Sequence, residues 1–234
     1  MKSVVVAVGG SLLRPEVKER ESWLKDLCAM VKDQISSEIR LGIVVGGGNP
    51  ARESIQLVKP IINDVMALDR IGISATRLNA SIIKEVLENS GINVSEKIPI
   101  DIPEAVKLME KNDVVVMGGT IPGHTTDAVA INLAISTNSE KCIIATNVKK
   151  VYEEDPRNNK NALSFDILTT RELQKIVGPA EHSKAGASQV VDPIGVALAM
   201  DSDLILNILD GRKMDNIRNA VQGNVFEGTI VKGD

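Results

Sequence analysis

Residues 118–127, Gly-Gly-Thr-Ile-Pro-Gly-His-Thr-Thr-Asp, set a glycine turn beside the hydroxyls of Thr120, Thr125 and Thr126 and the carboxylate of Asp127. An apolar run (114–117) precedes them and an Ala-rich amphipathic stretch follows. The turn therefore joins a strand end to a helix start, where unpaired backbone N–H groups collect and attract anions. Gly9-Gly10-Ser11 and Gly46-Gly47-Gly48 also follow buried-strand patterns. Three glycine turns at strand ends offer a surface for several phosphates, and phosphoryl transfer is the chemistry this combination suits best. Threonines donate to phosphate without adding charge. Asp127 binds Mg2+ through water or orients a neighbouring cation. It is not read as an obligatory base, because a phosphate acceptor is already ionised near neutral pH. His124 contacts a base or phosphate, or merely stabilises its loop.

The remaining candidates are ordered along the chain. Gly10 lets backbone approach phosphate and Ser11 adds a hydroxyl donor, although a plain turn explains both. No Gly-x-x-x-x-Gly-Lys-Ser/Thr loop is present in the sequence. Arg52, four residues past Gly48, would aim a planar fork at phosphoryl oxygens, or else face solvent. Asp69, Gly72, Thr76, Arg77 and Asn79 form a polar group just before and within a helix. Asp69 accepts from ribose hydroxyls or serves a loop or N-cap, and Asn79 reads as local support. Thr146 and Asn147 suit phosphates or an adenine edge, Tyr152 a flat base, and Asp155 a ribose or base. Lys149 and Lys150 mark a phosphate contact or a solvated turn. Lys184, in a loop running to Ser188, closes over phosphate or is simply solvated. His182 has no partner at metal-ligating spacing.

These groups need a frame. Apolar runs at 4–8, 41–45, 114–117, 141–145 and 204–208 predict strands. Helical patterns at 16–38, 51–58, 75–88, 102–110, 125–136 and 214–221, with starts at Thr169 and near Pro193, alternate with them. Asp101 reads as an N-cap with Glu104 three residues on. Residues 226–231 are expected to form a short edge strand. The alternation predicts an α/β fold, a three-layer αβα sandwich with a mainly parallel central sheet. One compact domain over residues 1–234 is expected, with a possible lobe boundary at 134–141.

Composition narrows the function classes. Hydrophobic residues make up 43% of the 234, enough for a large core, while aromatics are 2%, too few for base-stacking platforms. The net charge of −4 comes from interspersed charges and argues against a nucleic-acid surface. Cys28 and Cys142 read as buried small hydrophobes rather than a disulfide. No apolar run reaches transmembrane length and no signal peptide is recognisable, so a soluble cytoplasmic protein is expected.

Taken together, the motifs resemble the amino-acid kinase superfamily, and within it the archaeal-type uridylate kinases. The most specific combination is Asp-x-x-Gly-x-x-x-Thr-Arg-x-Asn-Ala at 69–80 with the 118–127 signature, and the resemblance spans nearly the whole chain. It implies transfer of the terminal phosphoryl group of ATP to UMP, with Mg2+. It assigns Gly47, Asp69, Thr120, Ile121, Pro122, Gly123, His124, Thr125 and Thr126 to UMP, in an N-terminal lobe. Gly10, Ser11, Gly48, Arg52, Thr146, Asn147, Tyr152 and Asp155 go to ATP, toward a C-terminal lobe. Arg52 and Asp127 are the implied catalytic pair. A homohexamer built from dimers, open to a nucleotide effector, is also implied. Lys149-Lys150 departs from the Asp-Gly common in relatives, and the first loop lacks a lysine. Another small-acid or phosphate kinase of the superfamily, or a non-catalytic nucleotide-responsive protein, is the alternative.

Overall fold

Apolar runs that cannot face water on either side must be central strands, and here they lie side by side. The computed structural model describes residues 2–13, 20–156, 158–181 and 190–233. The loop candidate at 184–188, His182 and the start of the 16–38 helix lie outside the described residues. The elements run β1 (Lys2–Val8), α1 (Arg20–Ser36), β2 (Ile39–Val45), α2 (Gly48–Val58), α3 (Val65–Asn89), α4 (Ile102–Met109), β3 (Val114–Met117) and α5 (Thr126–Ser136). They continue with β4 (Lys141–Thr146), β5 (Val151–Tyr152), β6 (Ser164–Phe165), β7 (Ile167–Thr169), α6 (Thr170–Val177), α7 (Pro193–Asp201), β8 (Ile205–Asp210), α8 (Met214–Gln222) and β9 (Gly228–Lys232). The main sheet has the order β3-β2-β1-β4-β8-β9-β7, and β5 pairs with β6 in a small ribbon. Every pairing in the main sheet is parallel except β8 with β9.

Alternation along β1 divides the core into two. Val4, Val6 and Val8 face Trp23 and Leu27 of α1, Ile83 of α3 and Ile217 of α8. Val5 and Ala7 face Val129 and Leu133 of α5, Leu173 of α6 and Val196 of α7. This period of two makes the sheet the middle layer of three. Each such valine, leucine or isoleucine side chain, once buried, contributes about 1.5–3 kcal/mol. Trp23 also donates its indole N–H to the Gly211 carbonyl at 2.8 Å, tying α1 to the turn after β8. Both cysteines are free and buried.

Helix starts are fixed by side chains that accept orphan N–H groups. Asp101 accepts from Glu104 N at 2.8 Å, and Thr169 with Glu172 forms a reciprocal capping box. Two expectations change. The C-terminal strand β9 is not an edge: it pairs with β8 on one side and β7 on the other, leaving β7 outermost. Helix α3 begins ten residues earlier than the 75–88 pattern, at Val65, because Asp64 caps it by accepting from Met66 N. Gly72, which weakens the helical pattern, sits where a Cβ would meet Ile55 of α2 at 3.4 Å. Asp69 is consequently in the body of a helix, neither in a loop nor at an N-cap. Among the described residues, no helix is long and apolar enough to cross a membrane.

Candidate active site

Four adjacent parallel strands, β3, β2, β1 and β4, end at one edge of the sheet, and each is followed by one of the polar turns. Ligands in open α/β sheets bind at such carboxyl ends. A cavity of about 460 Å³ lies there. Its lining includes Gly10, Ser11, Gly47, Gly48, Arg52, Thr125, Thr126, Asp127, Thr146 and Asn147, so most of the expected phosphate residues do converge. The first two turns touch backbone to backbone. A Cβ on Gly10 would stand 2.3 Å from Gly48 N and 2.5 Å from the Gly46 oxygen. Gly48 itself has φ +60, a conformation open chiefly to glycine.

Two helix N-termini add carboxylates to this space. Thr125 caps α5 by accepting from Ala128 N, which places Asp127 in the first turn. Asp192 caps α7, its Oδ1 accepting from Ile194 N at 2.7 Å and Gly195 N at 3.1 Å, and it also lines the cavity. Burial, and secondarily the charge of Asp192, push the Asp127 carboxyl up to about 7. Asp127 thus sits near the midpoint of its titration at neutral pH and gains most from a cation beside it. Beneath it, burial and the Asp127 charge push the Cys142 thiol well above its usual range, so that thiol is inert. Asp192 escaped the sequence reading. Its signal was the Asp-Pro pair opening a helix, which marks a cap but gives no hint of a second carboxylate facing Asp127.

A second cavity, of about 270 Å³, shares Thr146, Asn147 and Val190 with the first. Tyr152 and Asp155 line it, opposite Ile176 and Val177 of α6. An aromatic ring, an apolar wall and a carboxylate in one half-open space suit a flat heterocycle with hydroxyls. Lys150 lines it too, and a hydrogen bond and ion pair to Asp166 raise its pKa and keep it charged. Lys149 is exposed and stands 3.8 Å from Glu227.

The rest of the 118–127 signature forms an outer flap, whose residues Thr120, Ile121, Pro122, Gly123 and His124 are not among those lining either cavity. Asp69 Oδ2 accepts from Gly123 N at 2.8 Å, joining α3 to the flap. Arg77 donates from Nε to the Gly119 carbonyl at 3.2 Å, which makes it a brace for this turn. Arg52 is exposed at the start of α2, its guanidinium steadied by Asn49 Oδ1.

Comparison with known proteins decides the family. The model of the amino acid kinase family matches residues 2–209. The chain is 35% identical over 228 residues to a uridylate kinase of Methanococcus aeolicus, covering 97% of this chain and 98% of the relative. The chain belongs to the amino acid kinase family, among its archaeal-type uridylate kinases. Another such kinase, from Archaeoglobus fulgidus, is 35% identical over 97% of this chain and 99% of its own. The crystal structure of uridylate kinase from that organism superposes with a TM-score of 0.82 at 34% identity, covering 99% of this chain and all of that one. The crystal structure of UMP kinase from Bacillus anthracis has a TM-score of 0.80 at 23% identity, which supports the amino-acid kinase fold.

Proposed function

We infer that the protein transfers the terminal phosphoryl group of ATP to UMP, giving UDP and ADP. One observation carries this reading: in a chain aligned end to end with uridylate kinases, two glycine turns and the Thr125–Asp127 end of the third meet Arg52 in a single cavity. The smaller cavity beside it takes the adenosine, with Tyr152 on the base and Asp155 on base or ribose. Gly10, Ser11, Gly48, Thr146 and Asn147 carry the ATP phosphates. Gly47, Thr125 and Thr126 carry the UMP phosphate, and Asp69 with residues 120–124 takes uridine. We assign UMP to the N-terminal lobe and ATP to the C-terminal lobe, with Gly10, Ser11 and Gly48 reaching the ATP phosphates from the N-terminal lobe.

Phosphoryl transfer asks little covalent chemistry of the protein, so positioning and charge placement dominate. Arg52 stabilises charge spreading over the transferred group. Asp127 organises the centre through its ionised form. Among the described residues there is no group of three or more His, Cys, Asp or Glu side chains that could hold a metal. Mg2+ keeps several waters and takes one or two carboxylates with substrate phosphates, and the carboxylates of Asp127 and Asp192 both line the cavity. Asp127 would hold it, and the ion would neutralise and orient the ATP phosphates. We extend the reading to a homohexamer of dimers, subject to a nucleotide effector, working in the cytoplasm.

The reading is tested by incubating the protein with Mg-ATP and, separately, UMP, CMP, dUMP, carbamate and acetylglutamate, and resolving the products. Selective UDP is expected; transfer to an acid acceptor would refute the UMP assignment. Asp69→Asn sharpens the assignment of sides. Asparagine still accepts from Gly123 N, so the flap stays in place, but it loses the charge that strengthens hydroxyl hydrogen bonds. Steady-state kinetics should show KM for UMP rising about tenfold, with KM for ATP within about twofold. Equal losses for both nucleotides would remove Asp69 from the UMP side.

A further inference from the structure

Within little more than one turn, α3 carries side chains that end on the backbone of two different glycine turns. Thr76 Oγ1 accepts from Gly119 N at 2.7 Å, and Arg77 donates to the carbonyl of the same residue. Asn79, completely buried, donates from Nδ2 to the Gly46 carbonyl at 2.8 Å and the Gly47 carbonyl at 3.0 Å. The opposite amide orientation would press Oδ1 against two carbonyl oxygens, so hydrogen bonding itself selects this one. Its Oδ1 has no hydrogen-bond partner. A buried, unpartnered acceptor costs stability. What Asn79 supplies in return is a pair of donors to one turn.

Those donors fix a direction. In a trans peptide the C=O and the following N–H point opposite ways. Holding the Gly46 and Gly47 carbonyls toward α3 turns the N–H groups of Gly47 and Gly48 away from it. Both glycines line the phosphate cavity. A run of three glycines has the widest choice of peptide orientations, so its donors are aimed only if something outside the run holds it. We propose that Asn79 is a positioning residue of the transfer site, setting the direction in which Gly47 and Gly48 present N–H groups to phosphate. The proposal rests on the phosphoryl-transfer reading.

Calorimetric affinities of wild type and Asn79→Ala for ATP, adenosine, UMP and uridine test it, because only the nucleotides carry phosphate. ATP and UMP should each bind about tenfold more weakly to Asn79→Ala, and the nucleosides within about twofold of wild type. A purely structural asparagine would lower the melting temperature and leave the nucleotide-to-nucleoside ratios unchanged, and that result overturns the proposal. Asn79→Ser, which keeps one shorter donor, is expected to fall between the two and allows the same comparison if the alanine variant does not fold. Wild-type protein that bound neither ATP nor UMP would overturn the transfer reading as well. Intact wild-type binding with unchanged ratios in the variants overturns the role of Asn79 alone.

Discussion

Asp127→Asn should lower UDP formation about a hundred- to a thousandfold and yet leave a protein that, at pH 8, is more stable than its parent. The catalytic half follows from charge. Asparagine matches the size of aspartate but can neither pair with a cation nor offset the positive charge gathered around the phosphates. The stability half follows from linkage. The carboxyl is pushed from its ordinary 3.8 up to about 7 in the folded chain, mainly by burial and then by Asp192. Between those values the folded state holds a proton that the unfolded state has released, so stability falls as pH rises through the window. Above pH 7 the destabilisation is fully present. After allowing for the part of Asp127 open to the cavity, it is worth about 1–3 kcal/mol. Asparagine removes it. Melting curves at pH 5 and pH 8 should show the variant several degrees above wild type at pH 8, with the gap narrowing to less than half at pH 5. A gap equal at both pH values, or transfer at the wild-type rate, would contradict the assigned role.

Gly10→Ala should damage folding and transfer together. The added methyl would meet Gly48 N at 2.3 Å, the Gly46 oxygen at 2.5 Å and the Gly47 carbonyl carbon at 2.6 Å. All three are backbone atoms, so no rotamer change relieves the overlap. The two turns must separate, which costs about 3 kcal/mol or more and opens the phosphate cavity. Transfer should fall at least about a hundredfold, since displacement of about 1 Å is enough for that. Gly91→Ala is the control. It has φ +79 but nothing within 4 Å of a built Cβ. It should cost about 1–2 kcal/mol of local strain and leave turnover unchanged. Chemical denaturation and product assays on both variants decide the matter; a fully stable and active Gly10→Ala would show that the turns are not in contact.

Features set by nearby residues were the readable ones. The strands β1 to β4 announced themselves as apolar runs because both faces of a parallel sheet are covered. The caps Asp101 and Thr169 lie next to the helices they start, so their signals are short. The convergence of Gly10, Gly47, Gly48, Arg52 and Asp127 was legible only through motif order, since no local pattern says that ends of separate strands become neighbours. Where the decisive contact is distant, the reading failed. The first turns of α3 carry Asp69 and Arg70 among apolar residues and are interrupted by Gly72, and their helicity depends on the Asp64 cap and on packing against α2. β9 looked like an edge because its composition says nothing of β7, a three-residue strand that completes the sheet beyond it. Asp192 acts on Asp127, far along the chain, and Asn79, read as local support, holds a turn distant in sequence that its neighbours do not reveal.

On the proposed reading, one cavity receives both phosphate chains, ATP from one side and UMP from the other. Calorimetric titration with adenosine and uridine joined through a polyphosphate bridge tests it most directly. One molecule should bind per chain, displace both ATP and UMP, and exceed either in affinity, because the second nucleotide is already in place when the first docks. A bridged ligand that displaced only one nucleotide, or bound no more tightly than ATP alone, would mean that the two sites do not face each other across this cavity.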